Sequence, residues 1–282
     1  MVTKSDYPAD SVAACNQVLV ELMTILGEYR EHAVLVGGWV PSLYPVLNDG
    51  DYTGTTDIDL ALNHSAIPED AYSRIIDILD DAGYVADERN PAEFKRSVTL
   101  PSGREAQVLV HFMSGEYGGT TRGHRHQRVQ DLFARKARGC DLVFLDNVLV
   151  RIEGVMPDGA RNSMQIRLAG IVSFLAMKGM ALFTRSKAKD AYDITYVLRN
   201  YPGGPSSIAD EARRMIEHPL VREGFEKIRA KFQDVDGIGP VWCVAFEEIT
   251  DEEAVAFGRR DSYQRATRLL DLLGIEPYDM TD

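Results

Sequence analysis

Apolar positions recur every three to four residues through 9–30, where Val12, Cys15, Leu19, Leu22 and Ile25 fall on one stripe, and the spacing predicts a first helix. Ala33, Val34, Leu35 and Val36 then form a continuous apolar run that stops at Gly37-Gly38, the pattern of a buried strand ending in a tight turn. A short helix follows over 39–47. Residues 55–62 alternate polar and apolar as a strand, and 69–82 show helical spacing through Ala71, Ile75, Ile76, Ile78 and Leu79. Two strand-like runs, 94–100 and 105–112, flank Pro101-Ser102-Gly103-Arg104, a link suited to a hairpin. Shorter strands are predicted at 142–145 and 148–152. From about Ser163 the texture becomes helical, over 163–183, 189–199, 206–217, 219–232 and 261–273.

This order predicts an α+β protein. A small mixed β-sheet core with flanking helices occupies 1–160, and a helical C-terminal domain occupies 161–282, divided at the Gly, Pro and Asp residues of 154–162. The 282 residues carry 31 Lys and Arg against 43 Asp and Glu, a net charge of −12, which excludes a protein that coats nucleic acid by bulk charge. One local exception is 122–138, with five Arg, one Lys and two His against a single Asp. It reads either as a basic patch or as a solvated loop followed by a charged surface helix. Cys15, Cys140 and Cys243 stand far apart with no ligand-spaced companions, which excludes a disulfide framework or zinc site. With no membrane-length apolar run and no basic-then-apolar leader, a cytoplasmic protein that does not enter the membrane is expected.

The candidate chemistry begins at Asp57 and Asp59, which share one face of the 55–62 strand together with Thr55, while Ile58 and Leu60 turn to the core. Adjacent carboxylates repel, and a divalent ion such as Mg²⁺ or Mn²⁺ relieves the conflict. A solvated strand end is the plain alternative. Gly37-Gly38 ends the preceding strand and opens a short helix, a place where backbone can approach a phosphate closely. Taken together, VLVGGWVPSLY and GTTDIDLAL resemble the polymerase-β-like nucleotidyltransferases, in which strand, Gly-Gly, short helix and Asp-x-Asp build the active site. The resemblance implies that Asp57 and Asp59 bind the metal and that Gly37, Gly38, Thr55 and Thr56 meet the NTP. A third acid is expected from the 105–112 strand, but the matching position holds His111, on the face shared by Glu105, Gln107 and Leu109. His111 reads as a satisfied strand-end histidine or as a residue near the phosphates.

The helical half carries a second motif. Lys178 interrupts an otherwise apolar helix of Ile171, Val172, Leu175, Met177, Ala181 and Leu182, where an ammonium needs a partner or an anion, unless it snorkels at the stripe's edge. Asp190 and Asp193 lie one turn apart on the next helix. One can hold Lys178 while the other reaches an attacking hydroxyl as general base, or both can serve the helix dipole and bridge Lys187 or Lys189. The segment from Phe174 to Ile194 resembles the AbiEii/MenT-type nucleotidyltransferase toxins. That resemblance implies a catalytic set of Asp57, Asp59, Lys178 and Asp190 or Asp193, with Arg185 and Lys187 at the phosphates and the helical domain completing the active site. It also implies transfer of NMP from an NTP to an acceptor hydroxyl, the 3′ end of tRNA in relatives, by a toxin with a cognate antitoxin. Two other readings stay open. One is a small-molecule transferase of the aminoglycoside-modifying kind, suited to the acidic charge; the other is a non-catalytic nucleotide- or protein-binding relative.

Overall fold

The computed structural model of the chain describes residues 1–47, 51–63, 69–100, 102–115, 126–129, 132–185 and 187–277. It is mixed α and β, as the α+β expectation required, and divides into two compact units. Tyr7–Val40 and Gly54–Gly170 form a sheet unit. Ile171–Asp282, with Met1–Asp6 and Pro41–Thr53, forms a helical unit. No helix among the described residues is long and apolar enough to cross a membrane.

The sheet unit contains α1 (Ala9–Ile25), β1 (Ala33–Val36), β2 (Asp57–Leu62), α3 (Glu69–Asp81) and the strands β3 (Val85–Ala86) to β9 (Arg161–Ala169). The intervening α2 (Trp39–Leu43) is only five residues long. Strand order is β3-β4-β5-β2-β1-β9-β8, with β4 at Glu93–Thr99, β5 at Glu105–Ser114 and β8 at Asn147–Val155. β1 runs antiparallel to β2, β2 parallel to β5, and β5 antiparallel to β4, so the strand ends that carry the motifs lie side by side. The core forms because Ile58 and Leu60 of β2, Val110 and Phe112 of β5 and Leu35 of β1 are all fully buried beneath a helix whose Cys15, Val18, Leu19 and Leu22 are equally enclosed. At the periphery of that core Glu21 of α1 accepts from Arg96 Nε and Nη2 at 2.9 and 2.8 Å, and from the Tyr84 hydroxyl at 2.9 Å.

Three sequence expectations are corrected here. The helix expected from 163 is a strand through Ala169: Met164, Ile166 and Leu168 are buried while Gln165 and Arg167 are exposed, a period of two, and only from Ile171 does the helix α4 begin. The sheet unit therefore continues past residue 160. Residues 142–145, expected as a strand, fall largely in a 3-10 helix at Cys140–Phe144. Within 122–138 the described parts are β6 (His126–Val129) and β7 (Leu132–Lys136), an antiparallel pair rather than a surface helix. Residues 122–125, 130 and 131, and the hairpin residue Pro101, lie outside the described residues.

The helical unit packs α4 (Ile171–Thr184), α5 (Ala188–Asn200), α6 (Gly204–Ala212), α7 (Pro219–Lys231), α8 (Ile238–Phe246) and α9 (Glu252–Leu272). α4 and α7 approach through glycine. A Cβ on Gly179 would sit 2.1 Å from the Gly224 carbonyl oxygen, and one on Gly224 would sit 2.5 Å from Ala176 Cα, so neither position tolerates a side chain. α5 is enclosed almost throughout, from Ala188 to Leu198, and this burial is what makes its two acids and one lysine chemically conspicuous.

Candidate functional site

Strand register assembles the first cluster. Val36 pairs with Asp59, Asp59 with His111, and His111 with Glu93, placing consecutive sheet positions on one face. Asp57 and Asp59 share that face and are half-buried, while Ile58 between them is enclosed. The antiparallel return of β2 along β1 also brings the Gly37 turn against Asp59. Gly37 has φ +70°, and a Cβ there would lie 2.6 Å from Asp59 Oδ2. Gly38 is buried behind it.

Asp57 is held by its neighbours. The Thr55 hydroxyl donates to Asp57 Oδ1 at 2.5 Å, and the Trp39 indole N–H donates to the Asp57 carbonyl at 2.9 Å. Thr55 is buried, and its hydroxyl proton orients the first carboxylate. Thr56, next along the chain, is half-buried. The five-residue α2 offers little dipole to this turn.

His111 occupies the place of a third acid. Its Nδ1 lies 3.1 Å from Asp59 Oδ1 and its Nε2 lies 3.0 Å from Glu93 Oε2. Burial acts to lower the imidazole pKa, but the hydrogen bonds and charges of Asp59, Glu93 and Asp57 outweigh it and push the group up to about 9. Glu93 is a residue sequence reasoning missed, although the hairpin register that pairs Glu105 with Thr99 also pairs His111 with Glu93. Among the described residues no group of three or more His, Cys, Asp or Glu is arranged to hold a metal unaided. Two hard carboxylates on one face do fit Mg²⁺ or Mn²⁺ when substrate phosphates and water fill the remaining positions.

The second cluster belongs to the helical unit. Lys178 Nζ lies 2.8 Å from Asp190 Oδ1 and 2.6 Å from Asp193 Oδ2, so both acids, and not one of them, hold the lysine. Arg185 grips Asp190 in a two-point contact, Nε to Oδ2 at 2.8 Å and Nη2 to Oδ1 at 2.9 Å. Asp193 Oδ1 accepts from Lys189 Nζ at 2.9 Å and from the Tyr52 hydroxyl at 2.7 Å, and that hydroxyl accepts from Lys189 at 2.6 Å. Tyr52 stacks on Tyr192, with ring centroids 5.8 Å apart at 15°. Lys187 is the N-cap residue of α5 and is half-buried.

Three cations thus face two carboxylates, and the excess is positive. Burial would raise both aspartates, but Lys178 with Arg185 around Asp190, and Lys178 with Lys189 around Asp193, hold both below the ordinary carboxylate range. Both acids fix the cations around them, the counter-ion arrangement that a buried lysine requires. Tyr52 and Lys189 were not legible as site residues; the i, i+4 spacing of Lys189 and Asp193 was the available signal.

The comparisons with known proteins bear on both clusters. A family model described as nucleotidyl transferase AbiEii toxin, type IV TA system, matches residues 24–264, a span that includes each of the motifs above. No curated protein matches the chain, and no solved structure does.

Proposed function

The chain belongs to the AbiEii nucleotidyltransferase toxins of type IV toxin–antitoxin systems, and on that premise we propose that it transfers a nucleoside monophosphate from an NTP to the 3′ hydroxyl of an RNA, with tRNA as the preferred acceptor. The observation that carries the reading is the pair Asp57 and Asp59 on one face of β2, with the Gly37 turn pressed against the second carboxylate.

Asp57 and Asp59 are the residues that would hold Mg²⁺ or Mn²⁺, which when bound neutralises triphosphate charge and polarises the α-phosphoryl oxygen. Gly37 and Gly38 let phosphate oxygens approach the backbone, with Thr56 beside them. Lys178, Arg185 and Lys187 are the cations proposed to meet phosphate, and Asp190 and Asp193 keep Lys178 and Arg185 in fixed orientations. The acceptor oxygen forms a bond to Pα, the bond from Pα to the bridging oxygen of Pβ breaks, pyrophosphate leaves and the acceptor proton passes to solvent. Catalysis of this kind is positioning plus charge neutralisation. The reading places the enzyme in the cytoplasm, where NTP and tRNA meet, and gives it a cognate antitoxin as the partner its family implies.

The experiment is incubation of the chain with each labelled NTP, Mg²⁺ and total RNA, followed by electrophoresis. Label in the tRNA band, lost in Asp57→Asn, supports the reading. The net charge of −12 favours one competing acceptor, a cationic aminoglycoside. Labelling of that compound and not of RNA would replace the acceptor. Absence of pyrophosphate release with every acceptor would leave a nucleotide-binding protein and end the proposal.

A further inference from the structure

We infer that His111 is a positioning residue that clamps the Asp59 carboxylate, with Glu93 as its outer anchor, in the place where a third acid would otherwise stand. The inference rests on the metal-binding reading of Asp57 and Asp59 given above. Both ring nitrogens of His111 face carboxylate oxygens, at 3.1 Å to Asp59 and 3.0 Å to Glu93. Each ring nitrogen is within hydrogen-bond reach of a different carboxylate, so the one ring ties two acids together.

The clamp closes on Asp59 from two sides. Oδ1 is taken by His111 Nδ1, and Oδ2 lies against Gly37, where a Cβ would come within 2.6 Å. The His111 contact restrains the carboxylate at Oδ1, and the absence of a Cβ on Gly37 leaves room for Oδ2. The ring in turn is only 12% exposed and is prevented from turning by the Glu93 contact at its far nitrogen. Asp57 has a separate support in Thr55. Each of the two ligand carboxylates thus has its own hydrogen-bond donor, the arrangement by which outer residues set the affinity of a metal site. Three acids, Asp57, Asp59 and Glu93, stand close together on this face, and the ring between Asp59 and Glu93 holds those two in register.

Asparagine and glutamine at position 111 separate the two ends of the clamp. The Asn amide nitrogen falls near the imidazole Nδ1 position and keeps the donor to Asp59, whereas the Gln amide nitrogen falls near Nε2 and keeps the donor to Glu93. Both amides are neutral and carry one NH₂ donor, so the retained contact is what differs between them. Mn²⁺ binding to the nucleotide-free full chain is measured by electron paramagnetic resonance for the wild type, Asp57→Asn, His111→Asn, His111→Gln and Glu93→Ala, with thermal melting of each as a control for folding. The expected result is that His111→Gln binds Mn²⁺ about tenfold more weakly than His111→Asn. Glu93→Ala, which leaves both ligands and the imidazole in place, should weaken binding severalfold relative to the wild type. Equal Mn²⁺ affinity of the Asn and Gln variants, in a chain whose Mn²⁺ binding is lost in Asp57→Asn, overturns the clamp alone. Should either fail to fold, wild-type affinity in Glu93→Ala does the same. Wild-type Mn²⁺ binding that is absent, or indifferent to Asp57→Asn, overturns the metal reading and the clamp with it.

Discussion

Gly37 and Asp59 are in such close approach that a Cβ on the glycine would stand 2.6 Å from the carboxylate Oδ2, and the glycine's φ of +70° is itself a conformation that other residues avoid. Gly37→Ala therefore carries two separate penalties. Backbone strain costs about 1 kcal/mol, a fall in Tm of about 2–4 °C for a chain of this size. The clash falls on a carboxylate that His111 already restrains, so Asp59 is displaced by a fraction of an ångström to an ångström, enough to cost about 100-fold in rate. Melting and NTP transfer measured on the same preparation test this. A rate loss no larger than the small stability loss accounts for would contradict it.

Removing Lys178 takes from each of two buried acids one of its two cationic partners. Asp190 keeps Arg185 and Asp193 keeps Lys189, yet both carboxylates are fully enclosed. Lys178→Met is expected to cost about 3–5 kcal/mol. The chain has two tryptophans, Trp39 in the sheet unit and Trp242 in the helical unit, so Trp242 fluorescence in a Trp39→Phe background reports unfolding of the unit concerned. Asp190→Asn removes a carboxylate that has lost its contact with Lys178, and the double variant Lys178→Met/Asp190→Asn is expected to recover at least about 1 kcal/mol relative to additivity. Strict additivity would contradict the ion-pair geometry.

What the sequence made legible followed from periodicity and spacing. Gly37-Gly38, Asp57-x-Asp59 and the Lys178 to Asp193 series each lie in a strongly patterned element, and the structure places them in β1 to β2 and α4 to α5 as that pattern required. Other features carried no such pattern. α8 is apolar at Pro240, Cys243, Val244 and Phe246 and enclosed at all four, so no amphipathic contrast marks it as a helix. β9 was masked by proximity to a true helix, since Ile166 and Leu168 extend the apolar series that continues into Ile171 and Val172. Glu93 becomes a site residue only through cross-strand register, and Tyr52 only through the fold of a segment without regular structure.

Glu21 gives a variant whose effect is on stability alone. It is the carboxylate in the otherwise apolar inner face of α1, and it satisfies both Arg96 and the buried Tyr84 hydroxyl. Burial and the Glu21 charge push the Tyr84 phenol up, out of reach of ordinary titration. Glu21→Ala strands a mostly buried guanidinium and a hydroxyl and is expected to cost about 3 kcal/mol, and Glu21→Gln about 1–2 kcal/mol. Trp39 fluorescence in a Trp242→Phe background follows the loss. Transfer activity per folded molecule should be unchanged, because Glu21 touches no group of either cluster described above. A fall in that specific activity would contradict the purely structural role.

Acid should weaken the helical unit through Asp190 and Asp193. In the folded chain both titrate below the ordinary aspartate value of 3.8, to which they return on unfolding. Between the two values the unfolded chain binds more protons, so the stabilisation is complete above about pH 4 and is lost as pH falls through the folded values. Lys178 moves the other way: its ammonium is raised above 10.5, so its contribution is complete below that value and disappears only as pH rises through the still higher folded value. Between these limits the cluster contributes a constant stability. Urea unfolding followed by Trp242 at steps from pH 7 to pH 2.5, compared between the Trp39→Phe chain and the same chain with Asp190→Asn, isolates the aspartate. The two curves should differ by a fixed amount down to about pH 4 and converge below it, because the Asn variant has already lost the charge that acid removes. Convergence that begins near neutral pH, or none at all, would mean that Asp190 is not the depressed carboxylate that its contacts with Lys178 and Arg185 require.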